Sequence, residues 1–190
     1  MRGTSQGATR SIDMEPFFPD EEHALHIEDL RSELNRYDVY AGYEFAEELE
    51  NQLVFDVRNY VSSEKNERAL FSIVNDFMTS LNLTRFDAFG QMRMREVDGI
   101  EARKILVYVL TEDLAYSGPT GMSRETALTL VEQLLSLFNS EVRYFTNATF
   151  TSDPFRLGAW SPNAGSRTFD TGIVLVDDQR IGIVWTTAED

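Results

Sequence analysis

The carboxy-terminal part of the chain constrains the fold more than any other stretch. Residues 173–176 and 181–185 are β-branched, almost purely apolar runs, and a polar Asp-Asp-Gln-Arg corner at 177–180 separates them. Two such runs around a short polar corner predict a β-hairpin. We expect Val176 to face Ile181, which fixes every other residue pair of the hairpin.

This register makes both faces of the hairpin apolar. The further opposing pairs are Gly172 with Trp185, Leu175 with Gly182, and Asp177 with Arg180 as a cross-strand ion pair. One face carries Ile173, Leu175 and Val184, and the other carries Val174, Val176, Ile181, Ile183 and Trp185. A hairpin that solvent touched on one side would alternate apolar and polar residues. We therefore expect this hairpin in the middle of a sheet, with cover on both faces.

The length and composition of the chain indicate one globular domain. A chain of 190 residues is long enough for one domain with a substantial core and short for two. Residues 1–15 lack periodicity and are predicted to be a disordered leader, and 16–190 a single domain. The chain has no cysteine, which excludes disulfides and thiolate chemistry. No apolar run approaches the ~20 residues that span a bilayer, so we expect a cytoplasmic protein without membrane contact.

Three helices in succession are predicted before the first strand. The first begins after Pro19, where acidic residues lie at the positive end of the helix dipole. The second covers about 43–62, with an apolar stripe that includes Leu53 and Val57. The third covers 70–81 and has the most regular amphipathic pattern in the chain.

A second hairpin is predicted after these helices. Residues 85–97 and 100–110 are joined by Asp98-Gly99, the dipeptide that type I′ turns prefer. In this hairpin one face would belong to the core and the other would be partly wet.

A helix, a strand and a long loop are predicted between the two hairpins. Ser123 is a suitable N-cap for the helix, 141–151 alternates loosely as a strand, and 152–169 forms the loop. The order ααα-ββ-α-β-ββ predicts an α+β fold. In this fold, three N-terminal helices precede an antiparallel sheet of about five strands, and the helices lie on one face.

The net charge of −15 is unevenly distributed along the chain. Residues 13–50 hold 13 acidic and two basic side chains, whereas 51–190 hold 19 acidic and 13 basic ones. Such acidic helices present either a solvated face or a docking surface for a basic partner. For the docking surface, the predicted contact residues are Glu22, Asp29, Glu33, Glu44, Glu47 and Glu48. An acidic surface repels phosphates, so direct nucleic-acid binding is not expected.

Basic residues cluster near the tip of the predicted second hairpin. In its simple register Arg93 faces Lys104, and this like-charge pair costs stability unless a carboxylate or an anion lies between them. Arg93, Arg95 and Lys104 are therefore candidate anion contacts. The alternatives are an acidic partner elsewhere in the protein, or a bulge that shifts the register.

The predicted loop over 152–169 is longer than most loops without structure of their own. Phe155, Arg156 and Trp160 have the composition of a binding hot spot. The alternative is a loop whose aromatic side chains fold back over the terminal hairpin.

No catalytic group, metal site or cofactor site is predicted. The two histidines, His23 and His26, both lie in the acidic first helix, which does not fit a Ser-His-Asp triad. One helix supplies too few ligands for a metal site, and the Glu-x-x-His spacing of di-iron bundles is absent.

Three functions remain open at this point. The first is a non-enzymatic acidic interaction protein that neutralises or regulates a basic partner, such as an immunity protein against a nuclease-type toxin or a DNA-mimicking inhibitor. The second is a structural or assembly protein that self-associates, for instance as a homodimer. The third is a small-ligand-binding domain or an enzyme, with a site between the 85–110 hairpin and the 152–169 loop.

Overall fold

The computed structural model describes residues 14–16, 30, 32, 51–60, 62, 66–83, 94–114, 119–120, 122–160 and 169–188. The strands in these ranges are β1 (Met14–Pro16), β2 (Asn51–Tyr60), β3 (Arg95–Val97), β4 (Arg143–Thr146), β5 (Ala148–Ser152), β6 (Phe155–Trp160), β7 (Phe169–Val176) and β8 (Arg180–Ala188). The helices with both ends in these ranges are α1 (Glu67–Ser80), α2 (Gly99–Thr111) and α3 (Arg124–Leu135). The fold is α+β with an antiparallel sheet, as the sequence predicts.

Six of these described strands form one antiparallel sheet in the order β1-β2-β8-β7-β4-β3, and β5 pairs with β6 in a separate ribbon. The terminal hairpin of β7 and β8 occupies the two central positions of the sheet. Its register is the predicted one, because Val176 pairs with Ile181 and Gly172 with Trp185. The prediction of a mid-sheet hairpin is confirmed.

Helices cover both faces of the hairpin and form two separate cores. On the α1 face, α1 buries Ile73, Val74, Phe77 and Met78 against Val174, Val176, Ile181, Ile183 and Trp185 of the hairpin. On the opposite face, α2 and α3 bury Ala102, Ile105, Leu106, Val109, Leu130 and Val131 in one core with Ile173, Leu175 and Val184. The two sets of hairpin residues are the predicted ones. The prediction of helices on one face alone is wrong, because α1 covers the second face.

Helix α1 is the third predicted helix, and its capping agrees with its apolar stripe. Asn66 is the N-cap, and its side chain accepts a hydrogen bond of 2.9 Å from the N–H of Ala69. Beyond the C-terminal end, Asn82 has a φ of 54°, a left-handed conformation that asparagine adopts more readily than most residues.

The predicted hairpin around Asp98-Gly99 is wrong, because the second of its strands is helix α2. Asp98 is an N-cap whose carboxylate accepts a hydrogen bond of 2.8 Å from the N–H of Glu101. An Asp followed three residues later by Glu resembles a capping box as well as a turn. The buried positions Ala102, Ile105, Leu106, Val109 and Leu110 recur at helical spacing. Of the first predicted strand, β3 is a strand, and it pairs with β4 instead.

The predicted second helix is wrong over 51–60, where the chain forms β2. Its predicted stripe used Leu53 and Val57, which are four residues apart and share a face in a strand as well as in a helix. Phe55 decides between the two periods, because it is buried in the same core as Leu53 and Val57. As a result, strands precede α1, and the predicted order of three N-terminal helices is wrong.

Within its described residues, the long predicted loop contains strand β6 of a β-ribbon. The strand predicted over 141–151 is present as β4 and β5, and β5 then pairs with β6 within the stretch predicted as a loop. Residues 161–168 lie outside the described residues.

Two further predictions, the N-cap of α3 and the first helix, fall within or partly within the described residues, and one edge strand was not predicted. Ser123 caps α3 as predicted, and its hydroxyl accepts from the N–H of Thr126 at 3.1 Å. In the predicted first helix, Leu30 is helical and buried in the core that contains α2 and α3. At the other flank, Met14–Pro16 pairs with β2 as an edge strand. Most of the predicted leader and first helix lies outside the described residues.

Candidate functional site: a cleft beside the terminal turn

An open cleft lies where the turn of the terminal hairpin meets the first turn of α1. Its volume is about 340 Å³. The lining residues are Tyr60, Ser62, Asn66, Glu67, Leu70, Ile73, Glu141, Arg143, Val176, Asp177 and Asp178. Apolar side chains of α1 and β7 form part of this lining, and four carboxylates and one guanidinium form most of its polar part. The cleft therefore combines an apolar surface with an acidic one.

The carboxylate of Asp177 holds the turn in place and is not free to bind a ligand. Its Oδ1 accepts hydrogen bonds from the N–H groups of Gln179 and Arg180, at 2.8 and 2.7 Å. Its Oδ2 accepts from the N–H of Asn139 at 3.0 Å. The backbone N–H of Asp177 donates to the carbonyl of Arg180, as the predicted register requires, while the Arg180 guanidinium donates to the carbonyl of Leu137.

Arg143 joins three elements through two carboxylates. Its guanidinium donates to both oxygens of Glu96 on β3, at 2.8 and 2.6 Å, and to both oxygens of Glu67 on α1, at 2.6 and 3.3 Å. It also lies over the ring of Phe145, 5.3 Å from the ring centre. These hydrogen bonds raise the pKa of Arg143 and lower the pKa of Glu96. Among the described lining residues, the one cation of the cleft is thus neutralised within the protein.

Tyr60 closes one side of the cleft in a fixed position. Its hydroxyl donates a hydrogen bond to the carbonyl of Asp177, which ties the end of β2 to the turn. Burial, followed by the negative charges of Asp177 and Asp178, raises the pKa of Tyr60. The phenol is therefore neutral at physiological pH and presents an apolar ring.

Glu141 and Asp178 are exposed carboxylates of the cleft lining, and together they form its acidic rim. Asp178 Oδ1 accepts a hydrogen bond of 2.7 Å from the Asn139 side chain. Among the described residues, the Glu141 carboxylate has no hydrogen bond or ion pair. Both side chains are exposed, so they can contact a cation that enters from solvent.

The structure does not describe the acidic residues that the sequence nominates for docking. Glu22, Asp29, Glu33, Glu44, Glu47 and Glu48 all lie outside the described residues. Sequence reasoning missed Tyr60, Glu67, Glu141 and Arg143. Glu67 and Arg143 are 76 positions apart, and no local pattern connects them. The polar corner between two buried strands was the one signal in the sequence that pointed to this place.

The predicted anion contacts are distributed differently from the prediction. Arg95 pairs with Glu101 at 2.6 Å and donates to the carbonyl of Ala148 at 2.8 Å, so a carboxylate of the protein lies beside it. Lys104 is exposed on α2, and its ammonium lies 6.0 Å from the ring centre of Phe155. Arg93 lies outside the described residues.

The predicted aromatic contacts belong to the β5–β6 ribbon. Phe155 stacks on Phe150 with ring centres 5.1 Å apart, and both rings meet Tyr108 of α2 edge-on. Arg156 is exposed on the same ribbon, and Trp160 ends β6. At least Phe155 thus folds back onto the protein, although it covers α2 rather than the hairpin.

Among the described residues, no three or more His, Cys, Asp or Glu side chains are arranged so that they could hold a metal ion. Within the same ranges, no helix is long and apolar enough to cross a membrane.

Comparisons with protein-family models, curated proteins and solved structures give no match to this chain.

Proposed function

We propose that this chain is a non-enzymatic interaction protein that binds a basic protein partner through its acidic surface, and so neutralises or regulates that partner. An immunity protein against a nuclease-type toxin or a DNA-mimicking inhibitor belongs to this class. In this proposal the acidic surface includes the cleft beside the terminal turn as well as residues 13–50.

The observation that carries the proposal is the charge of the cleft. Its described lining holds four carboxylates and one guanidinium, which is already paired with Glu67 and Glu96. No cation in the described part of the chain pairs with Glu141 or Asp178, so an incoming cation meets negative charge there. Complementary charge of this kind speeds association and excludes partners of the wrong sign.

The test is the salt dependence of binding to a defined basic probe. A fluorescein-labelled peptide of alternating arginine and serine should bind at about 0.01 M salt and lose about tenfold or more in affinity at about 0.15 M, because the Debye length falls from about 30 to about 8 Å. A peptide of alternating glutamate and serine is the matched control and should not bind. Equal affinity for the two peptides would overturn the proposal.

A charge-neutralised variant tests the contribution of the acidic segment. We expect replacement of the six nominated residues, Glu22, Asp29, Glu33, Glu44, Glu47 and Glu48, by their amides to weaken binding of the arginine peptide. If this variant binds as tightly as the parent chain, the acidic segment has no part in docking.

A further inference from the structure

We propose that the cleft beside the terminal turn binds a single arginine side chain of the basic partner. This assignment rests on the proposed function, and it names the chemical group that the partner inserts. A volume of about 340 Å³ lies at the lower end of the range for small-molecule sites, which begins at roughly 300 Å³. The cleft thus suits one long side chain and is too small for a helix or a folded loop.

The apolar surface of the cleft matches the stem of an arginine. Leu70 and Ile73 of α1 and Val176 of β7 contribute this surface, and Ile73 and Val176 belong to the core beneath it. Long cationic side chains bury their methylene groups on such surfaces while the charged head stays near water. An acidic surface without this apolar part would bind cations, but it would not distinguish those that have a long methylene stem from those that lack one.

The rim of the cleft matches the charged head. Glu141 and Asp178 are exposed there, and one oxygen of Asp178 has a partner in Asn139. Tyr60 adds an aromatic ring whose position its hydroxyl fixes through Asp177. A guanidinium can stack on such a ring and donate to carboxylates at the same time.

The wall of the cleft already contains an arginine bound in this way. The guanidinium of Arg143 lies over Phe145 and donates to the carboxylates of Glu67 and Glu96. The planar fork of arginine suits paired carboxylates, and it sheds water more readily than an ammonium does. We therefore expect the cleft to prefer arginine over lysine.

The test uses three capped amino acids as probes. N-acetyl methylamides of arginine, lysine and citrulline are titrated into the full chain, and amide chemical shifts are followed. Arginine should give saturable shifts at the amides of Tyr60, Arg143 and Asp178, and lysine should bind more weakly. Citrulline keeps the shape of arginine without its charge and should give no saturable shift. Equal responses of the unmodified chain to arginine and citrulline would overturn the proposal.

Two matched double variants locate the binding site. Glu141→Gln with Asp178→Asn removes two charges from the rim and keeps the acceptor that Asn139 uses, so the affinity for capped arginine should fall by about tenfold or more. Glu125→Gln with Asp153→Asn removes two exposed charges on α3 and the β5–β6 ribbon, and should leave that affinity unchanged. An equal effect of the two variants would overturn the proposal.

The arginine–serine peptide separates this proposal from the one on which it rests. If the peptide binds the parent chain and the Glu141→Gln, Asp178→Asn variant equally, the proposal of a basic partner is supported and the assignment of the cleft fails. If the peptide does not bind the parent chain, the proposed function fails.

Discussion

At the scale of single residues, Gly172 lies where the neighbouring strand leaves no room for a side chain. An added Cβ at this position would lie 2.1 Å from the carbonyl oxygen of Val184 and 2.6 Å from the Cα of Trp185. Both obstacles are backbone atoms of the neighbouring strand, which cannot move without disrupting the sheet. The requirement for glycine is therefore steric.

We predict that Gly172→Ala lowers the free energy of unfolding by at least about 2 kcal/mol, because overpacking a rigid core is costly. The control is Gly182→Ala, where the added Cβ would lie 2.7 Å from the tip of the Phe138 ring, which is a side-chain atom and not backbone. Urea unfolding of both variants measures the difference. A smaller loss for Gly172→Ala than for Gly182→Ala would contradict the described register.

At the scale of elements, the sequence predicts strands and helices well where the spacing of apolar residues fits only one of the two structures. The terminal hairpin has β-branched runs that suit no amphipathic helix, and its pairing is predicted residue by residue. Leu53 and Val57 are spaced by four, which fits both periods, and β2 is mistaken for a helix there. Asp98-Gly99 fits a turn and a helix start, so the choice depends on tertiary packing of 100–110.

The start of α2 offers a direct test of that choice. Gly99 is the first residue of the helix, and an added Cβ would lie 3.6 Å from Tyr144, an ordinary contact. Gly99→Ala should therefore stabilise the protein by about 0.4–1 kcal/mol, because it restricts the unfolded chain. In a type I′ turn the same position needs a positive φ, and alanine would be destabilising. A loss of stability on thermal unfolding would favour the hairpin over the helix.

The Arg143 network connects α1, β3 and β4, and its strength depends on pH. Hydrogen bonding to Arg143 lowers the pKa of Glu96, so this carboxylate stabilises the fold above its usual pKa of about 4.3 and loses that contribution as pH falls through the lowered value. Because Glu96 is about half exposed, we expect Glu96→Gln to cost under about 1 kcal/mol at neutral pH. Urea unfolding from neutral to acid pH should show this difference shrinking below about pH 4.

The same Glu96 substitution in a second variant background controls for interactions of Glu96 with charges other than Arg143. In an Arg143→Gln chain, Glu96→Gln should change stability by a smaller amount at neutral pH, because the partner is gone. An equal effect in both backgrounds would mean that the ion pair contributes nothing.

At the scale of the whole molecule, the acidic cleft lies on the α1 face of the sheet. The α2–α3 face carries Lys104 and Arg156 around the aromatic ribbon, together with exposed carboxylates such as Glu125 and Glu132. Composition predicts a net negative charge, but it does not predict where in the fold that charge lies. The charges of the cleft come from α1, β4 and the terminal turn, which are far apart in the sequence. The site therefore follows from the fold more than from any motif.

The most direct test of the central claim is hydrogen exchange of the chain with and without the arginine–serine peptide. We predict that the peptide slows exchange of backbone amides at 138–146 and 174–181, which flank the cleft, and leaves 100–108 and 148–157 unchanged. Protection confined to 100–108 and 148–157, or no protection at saturating peptide, would contradict an acidic cleft that receives a basic partner.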